Sequence, residues 1–550
     1  MKSVRPLINS LAANKWNAIL GRPVLLYVSL GLLGSLAIAY ATPWGPWAFS
    51  DGTGYIVSAR NLLAGIGLGL VQPSGQFQPL TSHPPLYPLM LSALGRAGID
   101  LISAARWIDI VAFGLLTFLG ARLFQRLTGS KWLAAGLALW LLSSPPLVDT
   151  YTSVFAEPLF LTTGLTSSFL VTEYTLSGRR PKLLGGAFLS ALALLSRYPA
   201  IAWVAASVAA IAVFGTRRAM IRIVDAAAFT GVAFAPVVVS VLLTTSQPGA
   251  EPARSVQKTI DIAAELPTLG KSLASVLWFW RPTRIPGLEI SKILQLIGFG
   301  LLALGIAAAL LAVAKRIRVG TEFSSFDKAS WRLASVLLIS AIAHVVFLSV
   351  VFLVSYPTPD INSRTVLPVL PMLMVSTLAV AAIFLRIWHR FRWLSFVTFG
   401  IILSATTGFW LTSWQQIQSM HENGGGYTSR DWKASQTLKA VADLPEHIPL
   451  ISNEPEAVLL YLNRYPHYIA EIYLSASVDP ALPFGEDTAE DHRLFREEGA
   501  ALVLFDTVHA QLARLYGDQS EQRLAKLTEG LYKSFDGDDG AIYFATPPPQ

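Results

Sequence analysis

The sequence predicts a polytopic all-α membrane domain of about 11 transmembrane helices, followed by a small C-terminal α/β domain outside the membrane. Three observations carry this. Hydrophobic residues make up 53% of the 550 positions and charged residues only 14%, a balance that suits a polytopic membrane protein and no soluble globular class. Apolar runs of spanning or near-spanning length recur down to about residue 414. The charge balance also inverts along the chain. Residues 1–426 hold 32 Lys+Arg against 15 Asp+Glu, whereas residues 427–550 hold 10 against 20.

The apolar runs are Pro23–Ala41, Leu101–Phe124, Trp132–Leu147, Phe155–Tyr174, Leu183–Ser196, Tyr198–Phe214, Ile221–Leu243, Ile290–Val313, Trp331–Val354, Val366–Trp388 and Trp393–Trp414. Two of them, on either side of Arg197, are short for a bilayer that needs about 20 residues. The domains then read as a cytoplasmic segment (1–22), a transmembrane domain (23–414) with an outer loop (44–100), and an extracytoplasmic α/β domain (415–550). The first run follows a basic leader, is long enough to cross a bilayer and is followed by more spans, so it reads as an uncleaved helix.

Basic clusters set the orientation. Lys2, Arg5, Lys15 and Arg22 precede the first span, and Arg122, Arg126 and Lys131 follow the second. Arg179, Arg180 and Lys182 follow the fourth, and Arg217, Arg218 and Arg222 the sixth. Lys315 to Arg332 and Arg386 to Arg392 continue the series. Every second connection is basic, as the positive-inside rule requires of a cytoplasmic N-terminus in the cell inner or plasma membrane. The basic excess is therefore a topology signal, and no nucleic-acid partner is expected.

From Tyr427 the pattern changes to helix at Trp432–Val441, strand at Ile448–Ser452, helix at Glu454–Tyr461, strand at Ala500–Phe505, helix at Val508–Tyr516 and strands near Tyr532–Phe535 and Ala541–Phe544. Val256–Glu265 reads as a short amphipathic helix, with Trp278, Trp280 and Arg281 suited to a membrane interface.

The polar stretch Ser50–Pro88 stands out between the first span and the rest. Asp51 lies just past the first span, where a carboxylate can act as a general base if an acceptor hydroxyl reaches it. A solvated loop acid is the plainer alternative. Tyr55, Arg60 and Asn61 share a predicted amphipathic helix, and His83-Pro84-Pro85-Leu86-Tyr87-Pro88 is expected to re-enter the membrane with a fixed backbone. His83 either orients a phosphate or holds a turn. Glu157, in Ala156-Glu157-Pro158, is either a functional ionisable group or an acid complementing a helix dipole. Asp149 is a weaker candidate. Arg197 and Arg364 are placed outside, where a guanidinium fork suits a lipid-borne phosphate. The alternatives are snorkelling for Arg197 and an ion pair with Asp360 for Arg364. Asp109 reads as a partner of Arg106 or of a neighbouring helix.

Absent motifs exclude some chemistry. Without cysteine there are no disulfides or thiolate metal sites. Gly65, Gly67 and Gly69 follow no strand and precede no Gly-Lys-Ser/Thr, which rejects a phosphate-binding loop of the P-loop kind. No HExxH or paired histidines suggest a metal, so no metal and no cofactor are expected.

The order of these features resembles the C-type (GT-C) membrane glycosyltransferases, in particular their protein O-mannosyltransferase and aminoarabinose transferase branch. The resemblance rests on the acid after the first helix, the Tyr55–Ala64 segment, and His83 through Pro88. Ala156-Glu157-Pro158-Leu159-Phe160, Leu195-Ser196-Arg197-Tyr198-Pro199 and Arg364 through Pro368 and Pro371 extend it, over residues 20–415. It implies transfer of a sugar from a polyprenyl-phosphate donor to a glycan, lipid or protein acceptor, with inversion at the anomeric centre. Asp51 would then be the base, Arg197 and Arg364 would hold the phosphate, and Glu157 would position a hydroxyl, with Tyr55, Arg60, His83 and Asp360 beside the substrates. Many relatives carry a second acid after the loop Asp; here that position is Gly52, which argues against a two-carboxylate scheme. A flippase or transporter of lipid-linked sugars is the main alternative, although few polar residues lie deep in the spans. A non-catalytic scaffold comes last, because so many spans exceed what anchoring needs.

Overall fold

Proline and glycine breaks divide the long apolar runs into helices whose ends carry the polar residues. The computed structural model describes residues 22–547 apart from 74, 251–254, 257–261, 278–323, 357, 360, 388–391, 470–494 and 496–497. In chain order it begins with α1 (Arg22–Ala41), α2 (Asp51–Leu63), a hairpin of β1 (Gly69–Val71) and β2 (Phe77–Pro79), α3 (Leu86–Arg96) and α4 (Leu101–Thr128). Next come α5 (Lys131–Leu142), α6 (Pro145–Tyr151), α7 (Glu157–Ser177), α8 (Arg180–Ser196), α9 (Ala200–Phe214) and α10 (Ala219–Thr245). The chain continues through β3 (Ser255–Val256), α11 (Ile262–Leu277), α12 (Ser325–Val354), β4 (Ser355–Tyr356), α13 (Ser363–Val366), α14 (Val369–Ile387) and α15 (Arg392–Asn423). It closes with α16 (Arg430–Ala434), α17 (Gln436–Ala442), β5 (Leu450–Ser452), α18 (Pro455–Leu462), β6 (His467–Tyr468), β7 (Ala501–Phe505), α19 (Thr507–Tyr516), α20 (Ser520–Thr528), β8 (Tyr532–Gly537) and β9 (Gly540–Phe544).

Five of the described helices are long and apolar enough to cross a membrane: α1, α4, α10, α12, and α13 with α14. A sixth span forms if α5 and α6, bent by 61° across Ser143-Ser144, count as one. The bend follows from Pro145-Pro146, which supply no N–H to continue the α5 ladder yet fit the first turn of a new helix. α8 and α9, with 17 and 15 residues, stay short, as their sequences predict. The expected span Ile290–Val313, together with Trp278, Trp280 and Arg281, lies outside the described residues. Of the amphipathic helix expected at Val256–Glu265, residues 257–261 also lie outside the described residues, Val256 belongs to the short strand β3, and Ile262–Glu265 open α11.

The chain forms two compact units. The first takes in the described residues of Met1–Pro43, Leu80–Met90 and Ser103–Glu422. Its helices pack mainly as α7 on α8, α12 on α14, α8 on α10 and α9 on α12. Tyr27, Phe113, Phe124, Phe160, Phe169 and Met372 lie fully buried in their core. α1 and α4 approach closely because a Cβ at Gly114 would collide with Ser35 Oγ, and one at Gly31 would lie 2.9 Å from the Gly114 carbonyl oxygen.

One end of this bundle is pinned by ion pairs among the predicted cytoplasmic residues. Glu173, near the end of α7, binds Arg126 at 3.2 Å and Lys182 at 2.7 Å. Asp327 opens α12 in a capping box with Ser324 and binds Arg386 Nε at 2.7 Å, at the end of α14. Glu157 begins α7, so the two ends of that helix lie about 24 Å apart along its axis.

The second unit takes in Trp44–Pro79, Leu91–Ile102 and the described residues of Asn423–Gln550. The outer loop, assigned from sequence to the membrane domain, therefore gathers with the C-terminal chain. A five-stranded sheet has the order β6-β5-β7-β9-β8, with β5 parallel to both β6 and β7 and the β9 pairings antiparallel. β7, Ala-Leu-Val-Leu-Phe, is buried at all five positions, as befits a central strand covered on both faces. Leu502 and Leu504 pack toward Val508 and Leu512, while Val503 and Phe505 pack toward Leu438, Val441 and Val458. The strands and helices expected from Tyr427 onward are present, except that the one helix expected at Trp432–Val441 is two, α16 and α17, broken at Ser435, whose hydroxyl caps the second. β6 and α20 are additions, one too short and the other too polar to stand out as periodic patterns.

Candidate functional site

In the first unit three charged residues, 40 and 167 positions apart in sequence, meet on one oxygen. Glu157 opens α7, with Pro158 as a first-turn proline that needs no N–H partner. Arg197 is the extended residue at the break between α8 and α9, ahead of Tyr198-Pro199. Arg364 sits on the short α13. Asn362 caps that helix by accepting from the Arg364 and Thr365 N–H groups, both at 3.1 Å. Glu157 Oε1 lies 3.1 Å from Arg197 Nη2 and 2.5 Å from Arg364 Nε. The Glu157 side chain is 3% exposed, against 17% for Arg197 and 25% for Arg364. The carboxylate is thus enclosed, while both guanidiniums keep an open side. Its second oxygen, Oε2, is buried without a hydrogen-bond partner among the described residues.

Other contacts fix Arg364. Its guanidinium stacks on Phe155 at 3.8 Å from the ring centroid. His344 of α12, fully buried, donates Nε2–H to the Thr365 carbonyl at 3.0 Å. Arg364 also lines a cleft of about 530 Å³. One part of its wall is apolar (Phe155, Leu367, Leu370, Phe409), and another is polar, with Asp149 and Gln416. Gln416 Nε2 donates to Asp149 Oδ1 at 3.0 Å. Such an arrangement can hold an anion against Arg364 and an apolar chain against the leucines.

The remaining predicted residues fall elsewhere. His83, half-buried in the first unit, places Nδ1 2.8 Å from Ser82 Oγ. Asp360 lies outside the described residues. Asp109 does not pair with Arg106. That arginine donates to Thr42 Oγ1 and to the Ala39 carbonyl, and both Asp109 oxygens are buried without a hydrogen bond among the described residues. Among the described residues no three His, Asp or Glu side chains converge as metal ligands.

Asp51, Tyr55 and Arg60 share α2 in the second unit. Asp51 is half-buried in the first turn. The residue before it, Ser50, has φ +41° and ψ −104°, a region non-glycine residues rarely enter. Such strain costs about 1–3 kcal/mol and gathers at functional positions. Tyr55 is buried on the inner side of the helix. Arg60 is engaged structurally: it donates to the carbonyls of Leu459 and Leu460 and to Asn463 Oδ1, closing the C-terminus of α18. No local pattern links positions so far apart, so this contact is not legible in the sequence.

The segment before α2 is tied to the sheet domain through Tyr427, whose N–H donates to the Ala48 carbonyl at 2.8 Å. The Tyr427 hydroxyl lies 2.6 Å from Glu454 Oε2 and 2.9 Å from Glu456 Oε2. One hydroxyl hydrogen cannot serve two carboxylates, so a second proton belongs to the group. Thr507 and Gln511 already donate to Glu454 Oε1. Burial, with the Glu456 charge beside it, pushes the Glu454 carboxyl above the usual glutamate range, so Glu454 takes up a proton at higher pH than an ordinary glutamate does. The folded chain holds this proton more tightly than the unfolded one. Its stabilisation is full below the unfolded value of ~4.3 and is lost as pH rises through the raised value. Glu454→Gln keeps the donor without the titration. Thermal unfolding followed by tryptophan fluorescence should show this variant gaining on the wild type as pH rises above the usual glutamate range. Parallel curves for the two proteins would contradict the assignment.

No protein-family model matches the chain, and no curated protein matches it in sequence. Solved structures do. ArnT from Cupriavidus metallidurans bound to undecaprenyl phosphate superposes with a TM-score of 0.54 at 14% identity, covering 96% of this chain and 99% of that one. The chain has the ArnT fold. The apo form of the same ArnT matches with a TM-score of 0.47 at 12% identity over 98% of this chain and 100% of that one. The archaeal oligosaccharyltransferase AglB from Archaeoglobus fulgidus, in complex with an inhibitory peptide and a dolichol-phosphate, gives 0.48 at 11% identity over 95% of this chain and 74% of that one. The shared fold agrees with the helical architecture and small C-terminal sheet region that the sequence predicts.

Proposed function

We propose that this protein is an integral-membrane glycosyltransferase that takes a sugar from a polyprenyl-phosphate donor and places it on a glycan, lipid or protein acceptor. The observation that carries the reading is the clamp of Glu157 on Arg197 and Arg364 beside a cleft with both apolar and polar walls. A lipid phosphate matches this arrangement, its phosphate against Arg364 and its chain against the apolar wall. The similarly folded ArnT structure is of a protein bound to undecaprenyl phosphate, a ligand of that chemistry.

In this reading Arg364 and Arg197 hold the donor phosphate, and Glu157 fixes both guanidiniums before substrate arrives. Asp51 takes the proton of an acceptor hydroxyl as its oxygen attacks the anomeric carbon. The bond from that carbon to the phosphate oxygen breaks, the configuration inverts, and polyprenyl phosphate leaves with the charge the arginines stabilise. The ion pairs of Glu173 and Asp327 at the other bundle end support a cytoplasmic location for that end and an extracytoplasmic one for the clamp. The enzyme would then work in the inner or plasma membrane.

The test is a liposome assay with undecaprenyl phosphate carrying a labelled sugar. Release of sugar-free undecaprenyl phosphate, dependent on acceptor and lost in Arg197→Ala, is the expected result. Movement of intact lipid-linked sugar between leaflets without cleavage would overturn the enzyme in favour of a flippase.

A further inference from the structure

The cleft beside Arg364 is equipped for more than a phosphate. Asp149 faces it from α6 and would repel an anion placed against it, so the group meeting Asp149 is not the phosphate. Gln416 reaches Asp149 from α15 and brings an amide that can both donate and accept. Ser144 completes the wall. It stands at the N-cap of α6, where a serine hydroxyl normally accepts from the second or third backbone N–H. Here the next two residues are Pro145 and Pro146, and the hydroxyl caps no N–H. It is 1% exposed and has no hydrogen-bond partner among the described residues. A carboxylate, an amide and an unused buried hydroxyl therefore line one cleft, with the rings of Phe155 and Phe409 beside them.

We propose that Asp149, Gln416 and Ser144 form the subsite for the donor's sugar, and that they take a sugar with neighbouring hydroxyl groups and reject an anionic one. This rests on the reading of Arg364 as the phosphate-holding residue. Each sugar hydroxyl donates one hydrogen bond and accepts others. Asp149 accepts, while the Gln416 amide and Ser144 hydroxyl supply the complement. A uronic acid is excluded because its carboxylate would oppose that of Asp149. The volume, about 530 Å³, lies within the range of small-molecule sites.

Binding to the full-length protein in nanodiscs tests this with four probes: undecaprenyl phosphate, and the same lipid carrying glucose, arabinose or glucuronic acid. The wild type should bind a neutral conjugate more tightly than bare undecaprenyl phosphate, and the glucuronate no better. Asp149→Ala and Gln416→Leu should each weaken the neutral conjugate by about tenfold, the scale of a hydrogen bond to a charged group, with bare-lipid binding unchanged. Ser144→Ala should do the same to a smaller degree, and unchanged bare-lipid binding in each variant shows that it is folded. The subsite is overturned if no neutral conjugate surpasses bare undecaprenyl phosphate, or if the variants keep the wild-type preference. The parent reading fails separately, if bare undecaprenyl phosphate does not bind or binds Arg364→Ala equally well.

Discussion

Asp51→Asn should cut sugar transfer by about 10²–10⁴-fold, the contribution of a positioned general base. Asparagine keeps the size and polarity of the side chain but cannot take the acceptor's proton. Donor binding should stay near the wild-type value, because in this account the phosphate belongs to Arg197 and Arg364. The drop should therefore appear in kcat, with the KM for donor little changed. The strained Ser50 before it supports a specialised position, since an ordinary helix start needs no such backbone. Asp51→Glu gives a second reading: the carboxylate remains but moves by about 1 Å, enough to cost roughly 10²-fold where reacting atoms must align. A purified Asp51→Asn protein turning over at the wild-type rate would remove the base from the mechanism.

Breaking the clamp should affect both stability and donor binding. Glu157→Ala leaves two guanidiniums around a vacated, enclosed position. Removing one partner of a buried ion pair costs about 3–5 kcal/mol, so a clear fall in the thermal unfolding temperature is expected. Arg364→Lys separates charge from geometry. Lysine keeps the charge but cannot stack a planar group on Phe155 while donating to Glu157 Oε1. This substitution should raise the KM for donor by about tenfold or more, with a smaller effect on unfolding. A donor KM unchanged by Arg364→Lys would show that the guanidinium does not meet the phosphate.

Much of this protein can be read from residue order because a bilayer imposes strict rules. Apolar length and alternating basic connections place the helices, and Pro145-Pro146, Pro158 and Pro199 mark where they break. Glu157, Arg197 and Arg364 stood out for the same reason: an ionisable group at the edge of an apolar run must find a partner. Which partner was hidden. Both arginines find Glu157, 40 and 207 positions away along the chain, a meeting no local pattern announces. Arg60 likewise closes a helix some 400 positions away, and Arg106 passes over Asp109 for the end of α1. The tie between Tyr427 and Ala48 depends on the return of the C-terminal chain to the residues before α2, a fact of topology that no local period encodes. Asp149 was rated weak because its partner, Gln416, comes from the last helix of the bundle.

The most direct measurement is a cryo-EM structure of the full-length protein in nanodiscs with undecaprenyl phosphate. The account predicts phosphate density within hydrogen-bond distance of Arg364 and Arg197, with the isoprenoid chain running over Leu367, Leu370 and Phe409. Phosphate density held elsewhere by other cations, with the Glu157 clamp in contact with no ligand, would contradict it.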